Sequence, residues 1–111
     1  GNISQPYIEL SDELLIEALQ NGVELALSYL SNQERRILAL KFDAEWTLRS
    51  ISEQCDKLGL EKMTEKQVGH AIDSILRKML PMINRALADI DDADIKLPAL
   101  KQILLEWGTQ G

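Results

Sequence analysis

The sequence predicts an all-α fold, and three observations carry that expectation. No stretch sustains the alternation of a half-buried strand, and β-branched and aromatic residues are sparse. Apolar residues recur instead at spacings of three and four, the period of one helix face. Ser31, Thr47 and Thr64 each stand directly ahead of such a run, where a side-chain oxygen satisfies the first free backbone N–H groups of a helix. At 111 residues and 45% apolar composition, the chain can bury one modest core and is expected to form a single domain over residues 1–111.

Ser11-Asp12-Glu13 reads as the start of the first helix, with Leu14, Leu15, Ala18 and Leu19 on its apolar face and Asn21-Gly22 at its end. A short second helix is expected through Val23, Leu25, Ala26, Leu27 and Leu30. Ser31 followed three residues later by Glu34 is a capping box, opening a third helix that carries Ile37, Leu38, Leu40 and Phe42 and ends near Asp43-Ala44-Glu45. Thr47 begins a fourth, with Leu48, Ile51, Cys55 and Leu58 on one face and Gly59 at its close. Thr64 caps a fifth, whose stripe runs through Val68, Ala71, Ile72, Ile75, Leu76, Met79 and Leu80 and continues as Ile83, Leu87 and Ile90. Pro81 has no N–H to donate, so a kink or break is expected near Leu80. Asp89 to Asp94 reads as a solvated acidic connector, and Pro98 as the first turn of a last helix through Leu100, Ile103, Leu104 and Trp107, ended by Gly108.

The formal net charge is -6, which by itself argues against a polyanionic partner. Its distribution along the chain weakens that objection for one segment. Residues 1–30 hold five acids and no Lys or Arg, and residues 81–111 hold five acids and three bases, whereas residues 31–80 hold nine bases against eight acids. The single cysteine, Cys55, cannot form an intramolecular disulfide and reads as a small buried residue in a reducing compartment. No apolar run approaches the roughly 18 residues of a membrane span, so a cytoplasmic protein without a membrane partner is expected.

The segment Leu30-Ser31-Asn32-Gln33-Glu34-Arg35-Arg36-Ile37-Leu38-Ala39-Leu40-Lys41-Phe42 resembles the opening of region 4 of bacterial RNA polymerase sigma factors, where Leu, Glu-Arg, an aliphatic pair, Leu, a base and Phe recur. Thr47, Leu48 and Ile51 resemble the start of that region's first helix-turn-helix helix. Thr64 to Met79 resembles its recognition helix, with Val68, Leu76, Arg77, Lys78 and Met79 at the family's Val and Leu-Arg-Lys-Leu positions. The resemblance covers residues 30–80 and implies a helix-turn-helix core there, with 1–29 and 81–111 as extra N- and C-terminal flanking helices. The family's Ile and Val landmarks lie closer together than Ile51 and Val68, so Asp56 to Met63 is expected as an inserted loop. Glu65, Gln67, Gly69 and His70 stand where the family commonly has Arg and Gln.

What the resemblance implies is a transcription-associated DNA-binding protein, reading double-stranded DNA with the helix that starts at Thr64. Such reading needs exposed side chains in the first turns of that helix at base edges, and cations on the phosphates. Lys66, Gln67 and His70 occupy those turns, Gln67 with an amide suited to an adenine edge and Lys66 with a donor for guanine or phosphate. Arg49, Arg77 and Lys78 are the candidate phosphate contacts. The same residues would equally suit the solvated face of any helix. Gly69 disfavours a helix by about 1 kcal/mol against Ala, which points to a close approach by DNA or another helix.

Region 4 of sigma factors also binds the polymerase, so the alternative is an interaction module that binds RNA polymerase or dimerises and has lost DNA recognition. Leu14, Leu15 and Leu19, and Leu100, Ile103, Leu104 and Trp107, either pack on the core or form a homodimer face. No enzyme is expected: His70 is the only histidine, and spacing places no catalytic partner beside it. Nor are metals or cofactors. The Asp89-Asp91-Asp92-Asp94 cluster lacks the glycine and terminal Glu of a calcium loop, and no phosphate-binding or dinucleotide glycine pattern occurs.

Overall fold

The computed structural model describes residues 5–90 and 94–110, with side chains described from residue 13 onward. Every regular element among them is helical: α1 (Gln5–Ser28), α2 (Asn32–Leu38), a π turn (Ala39–Asp43), α3 (Leu48–Glu53), α4 (Cys55–Leu58), α5 (Glu65–Leu87) and α6 (Leu97–Trp107). The fold is elongated, 53 × 25 × 20 Å, because α1 and α5 are long and lie against one another along the most extensive interface in the molecule. One continuous core is built from Val23, Ala26, Leu27 and Leu30 of α1, Leu38, Phe42, Ile51 and Cys55, the inner stripe of α5, and Leu100 and Leu104 of α6. No helix among the described residues is long and apolar enough to cross a membrane.

The three expected caps are present. Ser31 Oγ accepts from the Glu34 N–H at 3.1 Å while Glu34 Oε1 accepts from the Ser31 N–H at 2.9 Å. Thr47 Oγ1 accepts from the Ser50 N–H at 3.0 Å. Thr64 and Gln67 form a second reciprocal box at the head of α5. Each leaves the capping residue extended and the next residue helical, which fixes where the helix begins.

Several expected boundaries are not there. Asn21-Gly22 does not end a helix, nor does Ser11 begin one, since α1 runs unbroken from Gln5 to Ser28. Gly22 is buried against α5: a Cβ on it would stand 3.1 Å from Ala86 Cβ and 3.2 Å from Ile83 Cα. Its missing side chain lets two helices approach, and burial along that seam outweighs the low helix propensity of Gly. Pro81 does not stop α5, which runs from Glu65 to Leu87, so the break expected near Leu80 is absent. Pro81 is exposed, and the apolar residues either side of it, Met79 and Ile83, are both buried, so packing holds the helix through the lost bond. Ile90 lies beyond the end of α5 and is 41% exposed rather than part of the stripe.

The helix expected from Thr47 to Leu58 is instead two. Gln54, at φ -114 and ψ 18, leaves the helical conformation and separates α3 from α4. Ile51, Cys55 and Leu60 are all buried across this bend, and Gly59 closes α4 in the left-handed region at φ 72. The residues expected as an inserted loop are thus a short helix and an ordered connection. Arg36 donates from Nη1 to the Leu58 carbonyl at 2.6 Å, and Ser52 Oγ donates to the Met63 carbonyl at 2.6 Å.

The C-terminal part is fastened at two points. Asn84 of α5 pairs its side-chain amide with the Ile95 backbone, accepting at 2.8 Å and donating at 3.2 Å, which seats the approach to α6. Asp43, at the end of the π turn, accepts from the Thr109 N–H at 2.7 Å and from its hydroxyl at 2.6 Å. Of the acidic connector, residues 91–93 lie outside the described residues.

Candidate nucleic-acid interface

The outward face of α5 carries the charge pattern. Its buried stripe of Val68, Ile72, Ile75, Leu76, Met79 and Ile83 turns Lys66, His70, Ser74, Arg77, Pro81 and Arg85 to solvent, spaced four, four, three, four and four. Those six positions include three cations and a histidine and no acid. In a chain of net charge -6, this row is net positive. Arg85 lies beyond Pro81, where the sequence predicts a break, and so only the continuous helix of the folded chain adds it to the row.

The residues expected to read DNA fall into three groups. Lys66 and His70 are exposed on the first turns of α5, and Arg49 is exposed on the first turn of α3. The two helix starts are brought together through Leu48, whose Cδ1 lies 3.4 Å from where a Gly69 Cβ would be. Gly69 therefore accommodates α3. Arg77 lies eleven residues beyond Lys66, or about 16 Å along the axis at 1.5 Å per residue.

Gln67 and Lys78 are exposed but already engaged. Gln67 Oε1 accepts from the Thr64 N–H at 2.9 Å, which turns its amide back to the cap, whereas a bidentate adenine contact needs donor and acceptor turned together to the base edge. Lys78 Nζ donates to Glu34 Oε2 at 2.6 Å and ties α5 to α2. The Lys78 ammonium and the Ser31 backbone N–H hold the Glu34 carboxyl below the usual carboxylate range. One glutamate thus closes a helix cap and anchors the lysine beside Arg77. Nothing in the local sequence announces this pairing, since the partners are 44 residues apart.

The basic pair of α2 is likewise occupied. Arg35 donates to Asn32 Oδ1 at 2.8 Å within its own helix, and Arg36 holds the end of α4. On α1, Leu14 and Leu25 are each 50% exposed, together with Ile16, and Tyr29 in the turn after it is 70% exposed. Leu15, Ala18 and Leu19 pack on the core, as do Leu100, Ile103 and Leu104 of α6, while Trp107 stays 38% exposed. Comparison with protein-family models, with curated proteins and with solved structures yields no match.

Proposed function

We propose that α3, α4 and α5 form a helix-turn-helix unit with an enlarged turn, resembling region 4 of sigma factors, in a transcription-associated protein that binds double-stranded DNA. The role is binding rather than catalysis. The observation that carries this reading is the acid-free row of Lys66, His70, Ser74, Arg77, Pro81 and Arg85 on the outward face of α5. In this reading the first turns of α5 meet base edges in the major groove through Lys66 and His70. Arg77, Arg85 and Arg49 hold phosphates. Gln67 acts first as a cap.

Fluorescence anisotropy with labelled duplex DNA at two salt concentrations tests it. Each phosphate neutralised adds about 0.9 to the slope of log affinity against log salt, so Arg77→Ala and Arg85→Ala should each weaken all sequences alike and lower the slope by about one. Neither residue is in the core, so the fold should be unaffected. Absence of measurable binding at ~50 mM salt, where counterion release favours even nonspecific complexes, overturns the reading. A protein-binding or dimerising module is the second reading, favoured by the exposed Leu14 and Leu25 of α1 and Tyr29 just beyond it. It predicts that substituting those residues, and not Arg77 or Arg85, abolishes self-association or capture of RNA polymerase.

A further inference from the structure

A groove of about 520 Å³ opens between the π turn, α3, the first half of α5 and α6. Its floor is apolar. Phe42 and Ile72 are buried, Leu48 is half-buried, and Gly69 adds no side chain of its own. Leu105 of α6 stands at one wall, 46% exposed. The rim is cationic: Lys41 of the π turn, Lys66 of α5 and Lys101 of α6 converge on it, with His70 beside them. The acid in the lining, Asp73, is already held by Lys101 at 2.9 Å.

We propose that this groove is a binding site for a small amphipathic anion, an aliphatic or aromatic carboxylate. The apolar body lies on Phe42, Leu48, Ile72 and Leu105, and the carboxylate sits at the lysine rim. The volume lies within the range of about 300 to 1,000 Å³ common to small-molecule sites, which join an apolar lining to a few convergent polar groups. Charge complementarity selects the sign of the ligand, because the ammonium groups of Lys41 and Lys66, beside the mutually neutralised Lys101–Asp73 pair, repel a cation and leave a neutral head without its best partner. The apolar floor distinguishes the ligand from a bare phosphate or a nucleic-acid backbone, neither of which gains from covering Leu105 and Leu48. The site goes beyond the DNA-binding reading and does not depend on it, although Lys66 and His70 belong to both surfaces.

Octanoate titrated into the full chain, with octanol and octylammonium as matched neutral and cationic probes, tests the proposal by calorimetry and by amide chemical shifts. Saturable octanoate binding is expected, with shifts concentrated at Lys41–Phe42, Lys66–Asp73 and Leu105. Octanol and octylammonium should bind at least about tenfold more weakly, the equivalent of about 1.4 kcal/mol. The double variant Lys41→Gln with Lys66→Gln should lose octanoate affinity by about tenfold or more. Lys66→Glu, at an exposed position with no structural bond, should do so without altering the far-UV circular dichroism spectrum. Equal affinity for octanol and octanoate, an unaffected Lys66→Glu variant, shifts confined to another face, or no saturation below the micelle concentration of octanoate would each overturn it.

Discussion

The same substitution at two helical glycines should move stability in opposite directions. In an exposed helix interior, Gly→Ala gains about 1 kcal/mol from propensity alone. At Gly69 the new methyl would stand 3.4 Å from Leu48 Cδ1, the mobile tip of a half-buried side chain at ordinary van der Waals distance. Most of the gain survives there, about 0.5 to 1 kcal/mol. At Gly22 the methyl would stand 3.1 Å from Ala86 Cβ and 3.2 Å from Ile83 Cα, atoms that no rotamer change can withdraw. α1 must then shift from α5 by a few tenths of an ångström along the main interface of the fold. Overpacking of this kind costs about 1 to 3 kcal/mol, which offsets the propensity gain of about 1 kcal/mol and leaves a net loss of up to about 2 kcal/mol. For a domain of this size about 4 °C of melting temperature corresponds to 1 kcal/mol, so Gly69→Ala should melt about 2 to 4 °C higher and Gly22→Ala lower, by up to about 8 °C. Thermal and urea unfolding followed by circular dichroism measure both. If Gly22→Ala rises as Gly69→Ala does, α1 does not approach α5 closely at residue 22. If Gly69→Ala falls, the neighbour there is tighter than the tip of Leu48.

Leu76→Ala removes a side chain with 0% exposure and should cost about 2 to 5 kcal/mol in urea unfolding, whereas Leu105→Ala, on an open wall, should cost well under half of that. Glu34→Gln keeps the cap and loses the charge pair with Lys78. Because the folded carboxyl sits below its ordinary value of 4.5, the stabilisation is present above that pH and is lost as pH falls through the folded value. The difference between wild type and Glu34→Gln should therefore vanish in acid, and at neutral pH it should not exceed about 1 kcal/mol, since Lys78 is 57% exposed. Asp43→Ala strands the Thr109 N–H and hydroxyl and should cost about 1 to 3 kcal/mol, with faster amide hydrogen exchange at Thr109 as the local readout.

Elements written in local chemistry were legible from the chain alone. Ser31, Thr47 and Thr64 begin helices because cap and first turn are contiguous in sequence and need no distant partner. The spacing of Val68, Ile72, Leu76 and Met79 defines one apolar face whichever element covers it, and so the opposite face, with Lys66, His70 and Arg77, could also be assigned in advance. That every regular element among the described residues is helical follows from the same periodicity.

Tertiary packing decided what happens where local preferences are weak or unfavourable. Gly22 and Pro81 are ordinary stop signals, yet both lie inside long helices, because burial of Val23, Met79 and Ile83 on either side outweighs a local cost of a few kcal/mol. With α5 continuous, Arg85 joins the row begun by Lys66. The state of the exposed side chains was equally beyond local reading. Lys78 meets Glu34 across 44 residues and Asp43 meets Thr109 across 66, pairings that only the folded chain creates. Gln67 is the intermediate case: its spacing from Thr64 already contains a capping box, but whether its oxygen faces the cap or solvent is settled only when the turn ahead of α5 is held in place by Ser52 and Leu60.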